Sequence, residues 1–416
     1  MVIDSNQYNG LCACGRTHEM TTQYCVIESG CLRAVTAYMR QYGMQGYCVA
    51  VYDENTYRAT ADRHPPVDAE VVLPAEDLHA NEYGVALLEE QLPRETKVLL
   101  AIGAGTIHDI TRYCAYQRNI AFVSCPTAAS VDGFCSSVAA MTWNGCKKTL
   151  TAVAPKIVVA DLDVIKNAPI RLAKSGFGDM VGKYIALTDW KIGNILTGEY
   201  YCDRIAQMTF GATEAVIQSI DGILAGEESA YQKLTYGLLL SGLAMQMIGN
   251  SRPASGAEHH ISHIIEMQPE HLGISSDALH GEKVGVGTLL VMGEYQKLVG
   301  NRDAGFADFA PYAASQIEAV FGKKMSGEII RENQKDSAEG VGAETLRGSF
   351  GAIIHELEKL PAIEALEKLY HKAQIKSCLE DIGVSEKKKE VLLKYAPMVR
   401  NRMTLLRLLS KEMISL

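Results

Sequence analysis

Short apolar, β-branched runs alternate with helix-length segments through the first 168 residues. Each run is bounded by turn residues and is short enough to be a buried strand. The runs are YCVIE from Tyr24, YCVAVYD from Tyr47, AEVVLP from Ala69, KVLLAIG from Lys97, IAFVSCP from Ile120 and KIVVADLDVI from Lys156. Because crossover helices separate parallel strands, this alternation predicts an α/β domain with a parallel sheet.

The pattern changes further along the chain. Two shorter runs, Ala139–Trp143 and Thr149–Val153, are joined by NGCKK and predict a hairpin with Asn144-Gly145 in its turn. From residue 169 the apolar spacing becomes helical. We therefore expect a Rossmann-like domain over residues 1–168 and an all-helical domain over 169–416. The basic face of the tail from Ser385 is expected to be solvated.

Composition narrows the class of protein. The longest apolar stretch, Tyr236–Ile248, is shorter than the roughly 18–20 residues that cross a bilayer, so we expect a buried helix and no membrane span. The net charge of -9 and the lack of a long basic run give no indication of nucleic-acid binding. The 11 cysteines are odd in number and scattered, and no export signal is visible, which favours reduced thiols and a cytoplasmic enzyme acting on small molecules.

A glycine turn follows the fourth strand run in the sequence GAGTIHD. Gly103 and Gly105 allow a tight turn, and the N–H groups of the next helix can hold a pyrophosphate. The alternative is purely structural, with Thr106 capping the helix and Asp109 completing a capping box. Asp53, which ends an earlier strand, is placed to bind the ribose of an adenine nucleotide or simply to form a turn.

The loop CPTAASVDGFCSS follows another buried strand, where ligands collect in open α/β sheets. Its polar members are equally suited to bind a cofactor or to form turns and caps. They are Thr127, Ser130, Asp132 and Ser136.

Five of the 11 histidines lie between His259 and His280. On a helix, His259 and His263 would share a face, so both can bind a metal, or one can bind while the other faces substrate. A catalytic metal usually has three protein ligands, and Asp179 in the glycine-rich segment KSGFGDMVGKY is the best carboxylate candidate, with a helix N-cap as its alternative role. His280 begins the segment HGEKVGVGT, whose small residues let backbones approach closely.

The segment CACGRTH near the N-terminus contains Cys12, Cys14 and His18. It resembles half of a zinc site, but no matching second half stands out in the sequence. Reduced surface thiols are the favoured interpretation.

Five motifs occur in order over Leu100–Thr288: LAIGAGTIHD, PTAASVDGF, SGFGDMVGKY, RPASGAEHHISH and LHGEKVGVGT. Together they resemble the sn-glycerol-1-phosphate dehydrogenase family, within the iron-containing alcohol dehydrogenase, glycerol dehydrogenase and dehydroquinate synthase-like superfamily. The resemblance implies the dehydroquinate synthase-like fold, in which a helical domain follows an α/β domain. It implies nothing specific for CACGRTH or for the tail after about Ile330.

The resemblance also implies roles for individual residues. Asp179, His259 and His280 would bind one divalent metal, Zn²⁺, Ni²⁺ or Fe²⁺, and Asp132 and His263 would reach the substrate. The dinucleotide, NAD(H) or NADP(H), would have Asp53 at its ribose and Ser136 near the nicotinamide. The residues that would line the rest of it are Gly105, Thr106, Ile107, His108, Asp109, Thr127, Ala128, Ala129 and Ser130.

The expected reaction is the reversible reduction of dihydroxyacetone phosphate to sn-glycerol 1-phosphate by an oligomer, dimeric or larger. Arg252 and the helix start at Ser255-Gly256 are candidate contacts for the phosphate. Three alternatives stay open: a glycerol or related polyol dehydrogenase, a dehydroquinate synthase-like lyase and a non-catalytic metal-binding protein.

Overall fold

The computed structural model describes residues 1–143, 146–301 and 304–415. The chain folds into two compact units, Met1–Phe177 with Glu214–Asn250, and Gly178–Thr213 with Ser251–Leu416. The first unit thus takes in a helical segment far beyond the predicted boundary at residues 168 and 169. Long-range packing, which a linear pattern does not reveal, places that segment with the sheet.

Each of the six predicted runs forms or overlaps a strand, but the run from Lys156 divides into a strand that ends at Asp161 and a short helix, Leu162–Ile165. Several shorter strands are added. The strands are β1 Val2–Asp4, β2 Gly10–Leu11, β3 Thr17–His18, β4 Tyr24–Glu28, β5 Tyr47–Asp53, β6 Ala69–Leu73, β7 Thr96–Gly103, β8 Ala121–Pro126, β9 Val138–Trp143, β10 Cys146–Thr151, β11 Ile157–Asp161, β12 Gly305–Phe306 and β13 Ile414–Ser415.

Seven strands form the main sheet in the order β1-β4-β11-β8-β7-β5-β6. Every neighbouring pair is parallel except β1 with β4, which is antiparallel. The predicted parallel sheet is therefore confirmed, with one added edge strand. Apolar clusters cover both faces, which is why the central strands are almost continuously apolar.

The predicted hairpin is confirmed as β9 and β10, whose register pairs Trp143 with Cys146 and Val138 with Thr151. Its strands differ by a few residues from the predicted runs. The predicted turn residues Asn144-Gly145 lie outside the described residues.

The helices occupy most of the chain after residue 162. They are α1 Val35–Gln41, α2 Glu54–Ala59, α3 Glu82–Glu89, α4 Gly105–Arg118, α5 Leu162–Ile165, α6 Ile170–Val181, α7 Lys183–Thr197, α8 Asp203–Ile217, α9 Ile220–Leu224, α10 Glu228–Ile248, α11 Ala257–Met267, α12 His280–Val299, α13 Ala314–Glu332, α14 Ala343–Leu357, α15 Ile363–Ala373, α16 Lys389–Tyr395 and α17 Leu405–Ser410. Short 3-10 turns are Ser5–Gln7, Cys31–Ala34, Gly133–Cys135, Glu380–Ile382, Glu386–Lys388 and Ala396–Val399.

Three details refine the predictions. Among the described residues of the second unit, all elements are helices apart from the two-residue pair β12 and β13. The apolar stretch predicted as a buried helix lies within α10, and none of the described helices is long and apolar enough to span a membrane. The expectation that the basic face of the tail is solvated holds for the exposed Lys387 and Lys394. It is wrong for Arg407, which is buried and has its Nη1 2.9 Å from Asp336 Oδ2.

Candidate functional site

The carboxyl ends of three neighbouring strands in the first unit carry the predicted dinucleotide residues. Strand β5 ends at Asp53, β7 at Gly103 and β8 at Pro126, and the three are parallel neighbours in the sheet. Since β6 flanks β5 on one side and β7 flanks it on the other, the strand order reverses between β5 and β7. Open α/β sheets bind ligands at such a reversal, so the edge beyond β5 and β7 is the candidate dinucleotide site.

Helix α4 begins at this edge. Ala104 is its N-cap, and no side chain caps the helix. The alternative of a capping box is therefore wrong, because Thr106 lies inside the first turn and cannot act as the N-cap. An N-terminus without a capping side chain presents backbone donors and the positive end of the helix dipole, which suits a pyrophosphate.

The His108 side chain on this turn belongs to the protein core. Its Nδ1 lies 3.0 Å from the Ala104 carbonyl oxygen and its Nε2 lies 2.8 Å from Ser124 Oγ. Burial, followed by the charge of Arg112, lowers the pKa of His108 to about 3. The imidazole is therefore neutral and internal, so only the backbone of His108 is suited to contact a dinucleotide. Ile107 is likewise buried.

The loop after β8 is held closely against helix α6. The backbone N–H of Thr127 donates to Gly103 O at 3.0 Å, and Ser175 Oγ donates to Ser130 O at 3.2 Å. A Cβ atom on Gly176 would lie 2.1 Å from Ala129 O, so only glycine permits this approach. Ala128 and Ala129 are buried, and so are Thr127 and Ser130, which flank them.

Asp132 and Ser136 lie further along the same loop. The Ser241 hydroxyl of α10 donates to Asp132 Oδ2 at 2.8 Å, which orients this buried carboxylate. Ser136 Oγ accepts from the backbone N–H of Val138 at 3.0 Å and forms a local turn. The buried Arg112 guanidinium donates to the carbonyl oxygen of Ser136 at 3.0 Å and stabilises the loop.

Asp53 acts as a helix cap. Its Oδ1 accepts from the backbone N–H groups of Asn55 and Thr56, both at 2.8 Å, at the start of α2. Asp53 thus has a local structural role, as a helix cap and not as the turn residue that was its alternative. Ribose binding by the same carboxylate stays a prediction.

The three predicted metal ligands come together in the second unit. One ligand atom from each of Asp179, His259 and His280 lies within 4.8 Å of the other two. The Nε2 atom of His259 is 3.6 Å from Asp179 Oδ1. Asp179 is fully buried inside α6, so the alternative that it caps a helix is wrong. One carboxylate and two imidazoles form a donor set suited to a catalytic divalent metal.

Glycines bring these ligands together. A Cβ atom on Gly178 would lie 2.3 Å from Gly281 O and 3.5 Å from Gly285 Cα, so α6 and α12 touch through their backbones. Because Asp179 follows Gly178 and His280 precedes Gly281, this close contact places the two ligands side by side. The prediction that small residues after His280 allow close backbone approach is confirmed.

Two glutamates orient the imidazoles, and the sequence interpretation missed both. His259 Nδ1 lies 2.6 Å from Glu258 Oε1, and His280 Nδ1 lies 2.9 Å from Glu266 Oε1. Each carboxylate holds Nδ1, which leaves Nε2 for a metal, and such pairs are usual around metal-binding histidines. The signal in the sequence that could have revealed them is that both glutamates lie close to the HHISH segment and on the same helix.

Lys183 balances the charge of Asp179. Its Nζ lies 2.9 Å from Asp179 Oδ1 and donates to Ala254 O at 3.0 Å. Burial alone would raise the pKa of Asp179, but Lys183, His280 and His259 hold it at about 2. The carboxylate is therefore ionised, as a metal ligand must be. The sequence analysis missed this pair, although its spacing of four residues on a helix was a signal for it.

The other three histidines of the sequence cluster lie in different surroundings. His263 stays with the group, its ring centroid 5.9 Å from that of His259 and 6.3 Å from that of His280. His260 is fully buried, and burial lowers its pKa well below the usual range. His271 is exposed, and its Nδ1 lies 3.0 Å from Ala319 O.

The predicted anion site at Ser255-Gly256 is wrong for this structure. Carboxylates already accept the donors of the helix start: Glu258 Oε1 takes Gly256 N–H and Asp189 Oδ2 takes Ala257 N–H, each at 2.8 Å.

Arg252, the other candidate for the phosphate, is paired within the second unit. Its Nε donates to Glu199 Oε1 at 2.5 Å, and its Nη1 donates to Met403 O at 2.7 Å. The side chain is nearly buried. These contacts hold the guanidinium in place, and a role in phosphate binding stays a prediction.

Comparison with known proteins places the chain among dehydrogenases. A sequence profile described as iron-containing alcohol dehydrogenase matches residues 26–169. The chain is 33% identical over 414 residues to glycerol-1-phosphate dehydrogenase (NAD(P)+) from Geobacillus stearothermophilus, covering 96% of this chain and 95% of that relative. It is 36% identical over 334 residues to the protein of the same name from Bacillus licheniformis, covering 78% and 82%.

Among solved structures, the chain is similar to sulfoacetaldehyde reductase from Bifidobacterium kashiwanohense in complex with NAD+. The TM-score is 0.59 at 13% identity, covering 95% of this chain and 98% of that one. At this identity the likeness concerns the fold alone. The predicted fold class, with an α/β part and a large helical part of the dehydroquinate synthase-like type, is confirmed.

Proposed function

The chain belongs to the glycerol-1-phosphate dehydrogenase family, and we propose that it catalyses the metal-dependent, NAD(P)-linked and reversible reduction of dihydroxyacetone phosphate to sn-glycerol 1-phosphate. The observation that carries this proposal is the group formed by the buried Asp179 and His259 and the half-buried His280, with a carboxylate behind each imidazole. Such an arrangement is expected of a metal centre and is not needed for packing alone.

Asp179, His259 and His280 are the proposed ligands of one divalent metal, Zn²⁺, Ni²⁺ or Fe²⁺. When bound, such an ion acts as a Lewis acid on a carbonyl or alkoxide oxygen, an effect of several kcal/mol on negative charge in a transition state. Glu258 and Glu266 hold the Nδ1 atoms of the two imidazoles, which leaves both Nε2 atoms available to bind the ion.

The dinucleotide is proposed to bind at the strand ends of the first unit, where Thr127 to Ser130 and the start of α4 at Gly105 meet the β5–β7 edge. The uncapped N-terminus of α4 supplies donors for the pyrophosphate. Asp53 is the proposed ribose contact, and its negative charge disfavours a 2′-phosphate, which favours NADH over NADPH. Ser136 is proposed to lie near the nicotinamide.

Asp132 and His263 are the proposed substrate contacts. The Ser241 hydroxyl holds the Asp132 carboxylate in one orientation, which suits it to accept from a substrate hydroxyl. His263 is the proposed group that passes a proton to the oxygen of the reduced carbonyl, directly or through a water. Arg252 is the proposed contact of the phosphate group.

The test of the reaction is NADH oxidation by the purified protein. It is run with dihydroxyacetone phosphate, and separately with dihydroxyacetone, in metal-free buffer and with added Zn²⁺, Ni²⁺ or Fe²⁺. We expect turnover of the phosphorylated ketone that depends on a metal, with sn-glycerol 1-phosphate as the only product enantiomer. Preference for dihydroxyacetone, or glycerol in the reverse direction, would identify a polyol dehydrogenase instead.

The ligand assignment has its own test with a matched control. Asp179→Asn and His259→Ala should lose both bound metal and kcat, whereas His271→Ala, an exposed histidine outside the group, should keep both. Normal metal content and turnover in the first two variants would reject the assignment. For Arg252→Ala we expect a higher KM for dihydroxyacetone phosphate and an unchanged KM for NADH, and an unchanged KM for both would exclude Arg252 from phosphate binding.

The proposal extends to a homo-oligomer, dimeric or larger, and to a cytoplasmic location, where reduced nicotinamides and phosphorylated metabolites are available. Light scattering after gel filtration tests the first. Fractionation of cells with a cytoplasmic marker enzyme tests the second. A monomer, or recovery outside the marker fraction, would contradict each in turn.

A further inference from the structure

A small hairpin near the N-terminus carries the CACGRTH segment. Strand β2 pairs antiparallel with β3, matching Gly10 with His18. Its turn is closed by Cys12, whose N–H donates to Arg16 O at 2.9 Å and whose carbonyl accepts from Gly15 N–H at 2.9 Å. A hairpin with two paired residues on each strand has too few contacts to hold its shape alone, so something beyond backbone pairing must stabilise it.

Cys12, Cys14 and His18 converge at this turn. One ligand atom from each lies within 4.8 Å of the others, and Cys14 Sγ is 3.4 Å from His18 Nε2. Cys12 and His18 are buried, and Cys14 is half-buried. The expectation of surface thiols is therefore wrong for Cys12. Two thiols and an imidazole at these separations are arranged as metal ligands are.

A backbone carbonyl fixes the orientation of the histidine. His18 Nδ1 lies 3.0 Å from Met247 O, in the last turn of α10. A carbonyl oxygen can only accept, so Nδ1 is the donor in this contact, and Nε2, the atom that faces Cys14, is the one left to bind a metal. Metal-binding histidines are commonly held in this way.

We propose that Cys12, Cys14 and His18 bind a structural Zn²⁺ that is separate from the proposed catalytic metal. Thiolates with an imidazole favour Zn²⁺ over Mg²⁺ or Ca²⁺, which prefer oxygen. The fourth ligand is a water or another thiol of the chain. This inference does not rest on the proposed function, because the three residues belong to the first unit and the proposed catalytic ligands belong to the second.

The ion would secure the hairpin to the body of the first unit. Since His18 is hydrogen-bonded to α10, a metal held by His18 and the two cysteines joins the β2–β3 turn to that helix. Metal binding of this kind contributes directly to local folding. Removal of the ion should therefore loosen the turn around Arg16, a trypsin site, and speed cleavage there.

The experiment measures zinc in the full-length protein purified with zinc in the medium. A mercurial reagent that attacks thiolates is added, and the released zinc is read with a metallochromic indicator. We expect one equivalent from the wild type and from Asp179→Asn, and none from Cys12→Ser or Cys14→Ser. Cys378→Ser, which removes another half-buried thiol, is the matched control and should release one equivalent.

Two further measurements guard against variants that simply misfold. His18→Cys supplies a third thiolate and should retain the zinc, and Co²⁺ in place of zinc should give a sulfur-to-cobalt charge-transfer band that Cys14→Ser lacks. Equal zinc release from the wild type and both serine variants would overturn the proposal. So would thiol titration of the denatured, metal-stripped protein that finds two thiols fewer than the 11 cysteines, because Cys12 and Cys14 would then form a disulfide.

Discussion

Asp189 is a buried carboxylate of the second unit that accepts three hydrogen bonds, and its removal should be strongly destabilising. Its Oδ1 accepts from the Tyr295 hydroxyl at 2.7 Å and from Leu405 N–H at 2.9 Å, and its Oδ2 accepts from Ala257 N–H at 2.8 Å. The carboxylate thus joins α7, α12, α17 and the first residue of α11, the helix that carries His259.

The cost of Asp189→Ala follows from these contacts. The substitution leaves three buried donors without their acceptor, and each such group costs about 1–3 kcal/mol. Because neighbouring losses are not strictly additive, we expect a decrease of about 3–6 kcal/mol in the free energy of unfolding. Tyr295→Phe removes a single donor and should cost about 1–2 kcal/mol. Proteins of this kind have only about 5–15 kcal/mol in total, so the alanine variant should be close to unfolding.

Urea unfolding followed by tryptophan fluorescence measures the effect, since Trp190 lies buried on the same helix, α7. If Asp189→Ala lost less than about 1 kcal/mol, the assignment of Asp189 as the joint between these helices would be refuted. Burial raises the pKa of Asp189 to about 7, despite the opposing donors of Leu405, Tyr295 and Ala257. The stabilisation that is linked to this raised pKa is therefore fully present below pH 3.8, the pKa of the group in the unfolded chain. It is lost as the pH rises through about 7. Asp189→Asn, which does not titrate, should lack this part of the pH dependence.

Three further predictions concern the proposed catalytic metal. Glu266→Gln should weaken metal binding by about 10–100-fold, measured by competition with a chelating dye, because the His280 ring loses its charged support; unchanged affinity would mean that Glu266 does not orient the ring. Gly178→Ala should lower both metal content and thermal midpoint, because its Cβ would lie 2.3 Å from Gly281 O and force α6 from α12; a normal midpoint in calorimetry would contradict the close contact. Chelation should abolish activity and lower the thermal midpoint while circular dichroism keeps its helical signal, and activity should return with metal; full activity after removal verified by elemental analysis would reject metal dependence.

The local pattern of apolar residues was sufficient to predict the sheet, but the local pattern of charges was not sufficient to predict which cations of the tail are buried. The run at Tyr47 predicted β5 to the residue, because a strand buried on both faces must be apolar along its whole length. The buried state of Arg407 could not be predicted in the same way. Its partner Asp336 is 71 residues away in sequence, and a basic helix face looks the same whether its cations meet water or a distant carboxylate.

The candidate metal site and its surroundings could also be predicted only in part. The i and i+4 pair of His259 and His263 was readable, because a helix sets their spacing without help from the rest of the chain. The anion site predicted at Ser255-Gly256 failed because its backbone donors are already taken. Asp189, which is 68 residues from Ala257, accepts from Ala257 N–H, and Glu258 folds back on its own helix to accept from Gly256 N–H. Pattern alone indicates that a helix start offers donors, and only the three-dimensional contacts reveal which are already used.

The same contacts constrain how a phosphorylated substrate is recognised. Glu258 Oε1 accepts from Gly256 N–H and also lies 2.6 Å from His259 Nδ1, so one carboxylate caps α11 and orients a proposed metal ligand. Because Asp189 accepts from the next N–H group, the first two backbone donors of this helix are already taken before any ligand arrives. A phosphate therefore needs side-chain cations. The KM test on Arg252→Ala examines that role directly: if Arg252 is also excluded, the phosphate contact must come from a cation outside the segment that links α10 to α11.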